Sequence, residues 1–254
     1  MKITFLGTGT SQGMPVIACE CEVCASADPK DNRLRVSVMI EEKDKLIVID
    51  AGPDFRQQLL REKVKKLTAI VFTHEHKDHI AGLDDVRAFN FITKKPAEVY
   101  ATAQVQEALK KEFHYVFSGI DYPGIPQVHL NTIENKPFDI EGITFTPISV
   151  LHFRLPVLGF RVGDFTYITD ANYISEEELE KVKGSKVLVL NALRREPHIS
   201  HFNLEEAIAL IQKIKPEKAY LTHISHLLGF HQEVMMELPE GIELAYDGLS
   251  FELE

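Results

Sequence analysis

The stretch from Val71 to His79 constrains this chain more than any other part of the sequence. It begins as an apolar strand and ends in four side chains that can bind metal, three histidines and one aspartate within six residues. Strand alternation would put His74 and His76 on one side, where both imidazoles can face one ion. Asp78 and His79 follow in a predicted tight turn and can reach a second ion. Because imidazole and carboxylate suit zinc or manganese, we interpret the stretch as half of a two-metal centre rather than as a polar loop with surface histidines.

Composition limits the class of protein and its partners. A chain of 254 residues that is 44% hydrophobic and 26% charged can bury a large core. No apolar run approaches the roughly 20 residues that span a bilayer, and the apolar start Met1 to Leu6 is too short for a signal peptide. We therefore expect a cytoplasmic protein without membrane contact. The net charge of −10 argues against nucleic acid as a partner. It still allows a small anionic substrate, because bound cations reverse the local potential, and it leaves a homodimer open.

The pattern of apolar residues predicts an α/β (α+β) chain that forms a single domain over residues 1–254. β-branched runs predict strands at residues 2–6, 35–40, 45–50, 69–72, 142–151, 159–162, 166–169, 186–190, 218–222 and 250–253. Helical periodicity covers residues 55–65, 84–92, 105–113, 175–183 and 204–215. Asn203 and Glu206 predict a capping box at the start of the last of these helices, and Pro216 predicts its end. Two sheets packed face to face, with helices outside, fit this order.

The ligand stretch resembles the H-x-H-x-D-H signature of the metallo-β-lactamase superfamily, and the resemblance extends over nearly the whole chain. It implies a four-layer αββα sandwich whose further ligands lie at later strand ends. His152, Asp170 and His223 follow predicted strands in the expected order, although a single histidine at a strand end is more often a structural residue. The resemblance assigns His74, His76 and His152 to one metal and Asp78, His79 and His223 to the other, with Asp170 bridging both.

Two further positions match the superfamily pattern. Asp50 ends a strand where the family has an aspartate that orients the ligand loop from behind the ligands. His76 stands where a glutamate would indicate redox iron chemistry, so hydrolysis is favoured over oxygen chemistry. The resemblance therefore implies an enzyme, a hydrolase with two divalent metals, manganese or zinc.

The three cysteines of the chain lie together at Cys19, Cys21 and Cys24. An odd, clustered set in a cytosolic protein indicates metal ligation rather than disulfides, and three thiolates leave a tetrahedral zinc one ligand short. His226, three residues after His223, is the candidate fourth ligand of this structural zinc site. Free thiols and a redox pair at C-x-x-C spacing stay open as alternatives.

The cysteine run C-x-C-x2-C, paired with T-H-x-S-H near the C-terminus, resembles the PhnP-type phosphoribosyl 1,2-cyclic phosphate phosphodiesterases within the superfamily. This implies hydrolysis of a small cyclic phosphodiester. The alternatives are a PqqB-like biosynthetic protein, a tRNA 3′-processing nuclease, and a β-lactam or thioester hydrolase. The glycine-rich opening, Gly7 to Gly13, lacks the lysine and helix of a P-loop and is interpreted as a turn that passes close to the metals.

The leaving group of such a reaction needs a proton or a positive neighbour. His201 matches a family histidine ahead of a similar helix, so we assign it to leaving-group protonation or phosphate contact, with Asp78 as the second catalytic residue. His198 is the other candidate for this role, although a surface loop position explains it as well. Arg194 and Arg195 are weak candidates for substrate binding, because an exposed basic pair accounts for them equally well.

Overall fold

Two β-sheets form the centre of the computed structural model, which describes residues 1–119 and 122–253. The strands of the first sheet are β1 (Lys2–Gly7), β2 (Ser37–Glu42), β3 (Lys45–Ile49), β4 (Ala69–Val71), β5 (Ala97–Ala101), β6 (Val128–Thr132) and β15 (Ser250–Glu252). The strands of the second are β7 (Phe138–Ile140), β8 (Ile143–His152), β9 (Leu155–Val162), β10 (Phe165–Ile168), β11 (Tyr173–Ile174), β12 (Val187–Asn191), β13 (Lys218–Thr222) and β14 (Ile242–Leu244). The first sheet has the order β15-β1-β2-β3-β4-β5-β6. The second has the order β11-β8-β9-β10-β12-β13-β14, with β7 paired to β8.

The helices lie between and after these strands. They are α1 (Phe55–Arg61), α2 (Lys77–Ile80), α3 (Arg87–Thr93), α4 (Ala103–Glu112), α5 (His114–Phe117), α6 (Glu176–Val182), α7 (Leu204–Ile214) and α8 (His231–Glu237). Two 3-10 turns cover Pro29–Asp31 and Leu83–Val86. The predicted capping box is present at α7, where Asn203 accepts from the backbone of Glu206 and the Glu206 side chain accepts in return. None of the helices described is long and apolar enough to cross a membrane.

Strand alternation sorts the apolar residues into three core layers. In β3, Ile47 and Ile49 face the second sheet, while Leu46 and Val48 face the helices outside the first. In β12 the same alternation puts Val187 into the layer between the sheets and sends its neighbours outward. Helices α1 and α4 cover the outside of the first sheet, and α6, α7 and α8 cover the outside of the second. The predicted four-layer αββα sandwich is confirmed.

Residues that follow strands on both sheets adopt an uncommon backbone conformation. Asp50 follows β3, Asp170 comes two residues after β10, and His223 follows β13, with φ values of 63°, 54° and 57°. Residues other than glycine rarely adopt this left-handed region, and such conformations cluster at functional sites. β3 runs parallel to β4, and β10, β12 and β13 run parallel to one another. The carboxyl ends of each parallel set therefore meet at one sheet edge, where these residues lie.

Two glycines let the loop after β3 pass against the ligand stretch. A Cβ at Gly52 would lie 1.9 Å from the backbone oxygen of Asp78, and a Cβ at Gly82 would lie 2.1 Å from the backbone oxygen of Gly52. Backbone atoms on both sides leave no flexible side chain to move aside. Only glycine fits at these two positions without displacing the ligand stretch.

We expect Gly52→Ala to lower the free energy of unfolding by about 3 kcal/mol, because overpacking against backbone costs roughly 1–3 kcal/mol or more. Urea denaturation of the metal-free protein measures this. Gly142→Ala is the control, since a Cβ there meets nothing within 4 Å. Its φ of 89° strains an alanine, so this variant measures the cost of backbone strain without a steric clash. Equal stability of the Gly52→Ala variant and the wild type would contradict the close approach.

Candidate two-metal centre

The ligand stretch turns into a short helix instead of continuing as a strand. β4 ends at Val71, and His76 is the N-cap of the single-turn helix α2. The strand alternation that the sequence suggested for His74 and His76 is therefore wrong, because both residues lie beyond the strand. The loop and the start of α2 bring them together instead, with their ring centroids 4.6 Å apart. The turn predicted for Asp78 and His79 is this helix.

Histidines from the second sheet complete one half of the cluster. His152, the last residue of β8, lies with its ring centroid 5.1 Å from that of His76 and 5.8 Å from that of His74. The three rings thus converge from two different sheets. His74 is fully buried, whereas His76 is exposed and His152 is partly exposed. This half of the cluster faces solvent, as a substrate site requires.

Asp170 lies at the centre of the other half. Its Oδ1 is 3.2 Å from His223 Nε2 and its Oδ2 is 3.3 Å from His79 Nε2. Asp78 Oδ2 is 3.2 Å from the same His79 nitrogen. The candidate ligand atoms of Asp78, His79, Asp170 and His223 all lie within 4.8 Å of one another. One ion fits among such a set of nitrogen and oxygen donors, and Asp170 has two oxygens with which to reach a second.

Hydrogen bonds fix which nitrogen of each ring faces inward. Asp50, buried behind the loop, accepts from the Thr73 amide at 2.9 Å, from Thr73 Oγ1 at 2.8 Å and from His79 Nδ1 at 2.7 Å. Since the Thr73 hydroxyl donates to Asp50, its oxygen accepts from His74 Nδ1 at 3.0 Å. His152 Nδ1 donates to the backbone oxygen of Ser200 at 2.8 Å. In all three rings Nδ1 is engaged and Nε2 is left as the donor to a cation.

The buried ring nitrogens are the observation that tests whether metal fits here. Nε2 of His74, His79 and His223 is buried, and none of these atoms makes a well-aligned hydrogen bond to a described residue, although those of His79 and His223 lie 3.2–3.3 Å from carboxylate oxygens. Burying a polar atom without a partner costs free energy, and metal ligation removes that cost. Together with the carboxylates of Asp78 and Asp170, these atoms form the mixed nitrogen and oxygen set that zinc and manganese accept.

The pKa shifts favour the ligand forms of most of these side chains. Burial lowers the pKa of His74 well below its ordinary value, and burial together with His152 lowers the pKa of His76, so both rings are neutral. Burial alone would raise the pKa of Asp170, but His223 and His79 beside it lower that pKa well below the ordinary value. For His79 the neighbouring carboxylates outweigh burial and raise the pKa. Metal binding must therefore displace a proton from His79.

Because Asp50 holds the Nδ1–H tautomer of His79, we expect Asp50→Asn to weaken metal binding about 10- to 100-fold, the usual loss when a partner behind a metal ligand is removed. The asparagine side chain would present its NH2 group to His79 Nδ1, which must itself donate a hydrogen bond. Competition with a fluorescent zinc chelator measures the affinity. Asp54→Asn is the matched control, since Asp54 pairs with Arg35 outside the cluster. Unchanged affinity in Asp50→Asn would contradict the orienting role.

The segment ahead of α7 brings two more histidines to the cluster. His201 Nε2 is 3.1 Å from Asp170 Oδ1, and His201 Nδ1 is 3.1 Å from both Ser200 Oγ and His198 Nδ1. Burial lowers the pKa of His201 to about 4. The ligand atoms of His152, Asp170 and His201 also lie within 4.8 Å of one another. His201 therefore borders the cluster directly, and His198 contacts it from the solvent side.

The two arginines of this segment are engaged elsewhere. Arg194 donates to the backbone oxygens of Glu196 at 3.2 Å and Pro197 at 2.7 Å, which shapes the loop. Arg195 forms a two-bond pair with Glu237 at 2.7 and 2.9 Å and also donates to the Leu228 oxygen. These contacts give both side chains a structural role and support no substrate contact.

The cysteine cluster is assembled as a second, separate site. His226 Nδ1 lies 3.4 Å from Cys19 Sγ and 3.2 Å from Cys21 Sγ, and all four candidate ligand atoms, including Cys24 Sγ, lie within 4.8 Å of one another. A hydrogen bond from His226 lowers the pKa of Cys21 to about 6, while burial raises that of Cys24 to about 11. This is the donor set of a structural zinc site.

The glycine-rich opening supports the loop between the two sites. Thr10 N donates to the Ile224 oxygen at 3.0 Å, and Ile224 N donates to the Thr8 oxygen at 2.9 Å. Ile224 lies between His223 of the catalytic cluster and His226 of the cysteine cluster. The opening therefore passes beside the loop that carries a ligand to each site, close to where the sequence predicted it.

Comparison with known proteins identifies the family. The model of the β-lactamase superfamily domain matches residues 45–224, which carry the first cluster. A solved structure described as a new diphosphatase from the PhnP family is 42% identical, with a TM-score of 0.93, and the match covers 100% of this chain and 98% of that one. The chain belongs to the PhnP family of the metallo-β-lactamase superfamily. The predicted membership is confirmed.

Other relatives of this PhnP-family chain differ in name and length. An octanoyltransferase of Porphyromonas gingivalis is 40% identical over 98% of this chain but only 51% of its own length. The chain thus spans about half of that curated relative, and the name describes a protein twice as long. The zinc-bound PqqB structure from Methylobacterium extorquens has a TM-score of 0.81 at 18% identity and covers 100% of both chains. That likeness shows the shared fold alone.

Some residues of the site escaped the sequence analysis. Thr73, which links Asp50 to His74, precedes the ligand signature and carries no signal of its own. Ser200 acts through its backbone oxygen on His152, which any residue type could supply. Asn172 joins the turn after His152 to the segment before His201 through its side chain. Only tertiary structure reveals these three contributions.

Proposed function

We propose that this chain is a metal-dependent phosphodiesterase that hydrolyses a small cyclic phosphodiester. The observation that carries the proposal is the position of Asp170: His79 and His223 lie within 3.3 Å of its oxygens, His201 lies 3.1 Å away, and a ring nitrogen of His152 lies within 4.8 Å. The 42% identical relative is described as a diphosphatase, and hydrolysis of a diphosphate also breaks a P–O bond between anionic groups. A diphosphate is therefore the second candidate substrate.

His74, His76 and His152 would hold one divalent cation, manganese or zinc, and Asp78, His79 and His223 the other, with Asp170 between them. When bound, two such cations lower the pKa of a water and neutralise the charge of the phosphate. The residues of the chain do the rest. Asp50 and Thr73 keep the imidazole nitrogens aimed inward, so that no reorganisation is needed when charge develops.

His201 is placed to act on the leaving group. Its Nε2 faces Asp170 at the centre of the cluster, and Ser200 and His198 hold its other nitrogen. With a pKa near 4 the ring is neutral at pH 7 and carries a single N–H, on the Nε2 that lies against Asp170; a substrate oxygen bound beside this carboxylate would share that N–H. A neutral His201 is therefore better suited to donate a hydrogen bond to the phosphate or the departing oxygen than to transfer a proton as a charged acid. Asp78 serves the centre as an ionised carboxylate beside His79.

The cysteine cluster would hold a structural zinc, and its reduced thiolates fit a protein of the cytoplasm. A PqqB-like biosynthetic role shares the fold, but the complete ligand set found here favours hydrolysis. A nuclease role is disfavoured by the net charge of −10.

The test is a substrate screen with manganese-loaded protein. It compares bis(p-nitrophenyl) phosphate, 2′,3′-cyclic AMP, phosphoribosyl 1,2-cyclic phosphate and ADP-ribose, the last as a diphosphate. The proposal requires the cyclic phosphates to have the highest kcat/KM. Faster cleavage of ADP-ribose would select the diphosphate candidate. Turnover of none of the four by metal-loaded protein would overturn both.

A further inference from the structure

An aromatic side chain stands at the tip of the hairpin that carries His152. His152 pairs with Leu155 across β8 and β9, which leaves Phe153 and Arg154 as a two-residue turn. Phe153 has a φ of 58°, in the region where such turns favour glycine, asparagine or aspartate. For a bulky residue this is an outlier that raises the energy of the backbone. Phe153 is also 47% exposed, so burial in the core does not account for an aromatic residue here.

The tip of this hairpin borders the metal cluster. Phe153 N donates to Asn172 Oδ1 at 2.7 Å, and Asn172 Nδ2 donates to the Ile199 oxygen at 3.2 Å. On the other side of the turn, His152 donates to the oxygen of Ser200. The turn, the segment after Asp170 and the segment before His201 are thus joined into one rim. This rim lies beside His152 and His201, so a substrate bound at the cluster would lie next to it.

The chemistry of the rim defines the group that it would bind. The Arg154 guanidinium lies 5.1 Å from the centroid of the Phe153 ring, so a cation is held against an aromatic face. Ile199, on the opposite segment, is 68% exposed and adds apolar surface. An apolar plane beside a positive charge is complementary to a planar aromatic group attached to an anion.

We propose that Phe153 and Arg154 form a subsite that stacks on a planar aromatic group, such as a nucleobase, carried by the substrate. This inference rests on the proposed phosphodiesterase function and narrows its substrate class to phosphate esters with an aromatic ring. Stacking of a base on an aromatic side chain is worth about 1–3 kcal/mol, enough to pick one substrate class over another. Glycine would relieve the strain of this turn but would offer no ring for stacking.

Glycine substitution separates this role from a structural one. We expect Phe153→Gly to raise the KM for 2′,3′-cyclic AMP about tenfold. The KM for glycerol 1,2-cyclic phosphate, which has no ring, should stay within about twofold because the lost stacking does not concern it. The melting temperature should not fall, because glycine adopts a positive φ without strain. Lys43→Gly is the matched control. Lys43 has a φ of 48° in the two-residue turn between β2 and β3, and its substitution should change neither KM.

A binding measurement gives a readout that needs no turnover. The chain contains no tryptophan, so Phe153→Trp introduces a single tryptophan at the rim, whose emission can be followed selectively. AMP should quench its emission, and ribose 5-phosphate should not. Equal KM increases for both cyclic phosphates, or a tryptophan that responds to neither ligand or to both alike, would overturn the subsite. If the wild type cleaves neither cyclic phosphate while AMP still quenches, the proposed activity fails and the aromatic subsite stands.

Discussion

Asp170→Asn is expected to lower kcat/KM by at least about 10³-fold, or about 4 kcal/mol of transition-state stabilisation. Asp170 has His79, His201 and His223 all within 3.3 Å of its carboxylate oxygens, and a ring nitrogen of His152, from the other proposed ligand set, within 4.8 Å. An amide keeps the size of the side chain but removes the charge that two cations would share. Steady-state kinetics on the best cyclic phosphate, with metal content measured on the same samples, give the result.

The same substitution should leave the metal-free protein folded. Asparagine tolerates the left-handed backbone that Asp170 adopts at φ 54°, and Asp78 and Asp50 remain beside His79. Asp164→Asn is the control, since Asp164 lies just before the other end of β10 in an exposed ion pair with Lys186. Full activity in Asp170→Asn would contradict the bridging role. Equal losses in both variants would point to a general effect of the substitutions.

Loss of the proposed structural zinc is the second large effect that we expect. We expect Cys21→Ser to lose one zinc per chain and about 3 kcal/mol of unfolding free energy, because loss of a metal is among the few mechanisms with effects of this size. Cys19 to Cys24 form no regular helix or strand, and their thiols contact His226, the Val16 amide and the Cys24 amide. Without the zinc this segment would lose its link to the loop that carries His226.

Glu22→Ala, an exposed change between two of the cysteines, is the matched control for Cys21→Ser. Chemical denaturation followed by circular dichroism, with zinc measured on the same samples, separates the two variants. The folded Cys21→Ser variant should keep most of its activity although its free energy of unfolding falls. The reason is that Ile224, next to His223, still donates its backbone N–H to the Thr8 oxygen. A stable Cys21→Ser variant that retains all its zinc would show that this cluster is a set of free thiols.

The sequence predicted the sandwich because the apolar alternation in its main strands is regular. Weakly patterned strands such as β5 and β6 were missed, since their exposed edges carry polar residues such as Glu98 and His129. The helix α8 was missed too, because His231 and Gln232 open it without a side-chain cap. These elements depend on packing against neighbours, and a local pattern does not record that.

The candidate ligands were found from the sequence because their spacing is short and chemically distinctive. The reason given for the spacing was wrong in one respect, since His74 and His76 lie beyond the strand that was thought to align them. The ligands are held in place by tertiary contacts. Asp50, the backbone oxygen of Ser200 and the glycine contact at Gly52 come from segments distant in sequence. Phe153 stood out only once its backbone angle was known.

Metal content per chain tests the central claim most directly. Elemental analysis of protein purified without chelator, then loaded with manganese, should give two catalytic metals and one zinc for the wild type. His76→Ala should lose catalytic metal and keep the zinc, while Cys21→Ser should lose the zinc and keep the catalytic pair. One metal per chain in the wild type, unchanged in His76→Ala, would contradict the account of two separate sites.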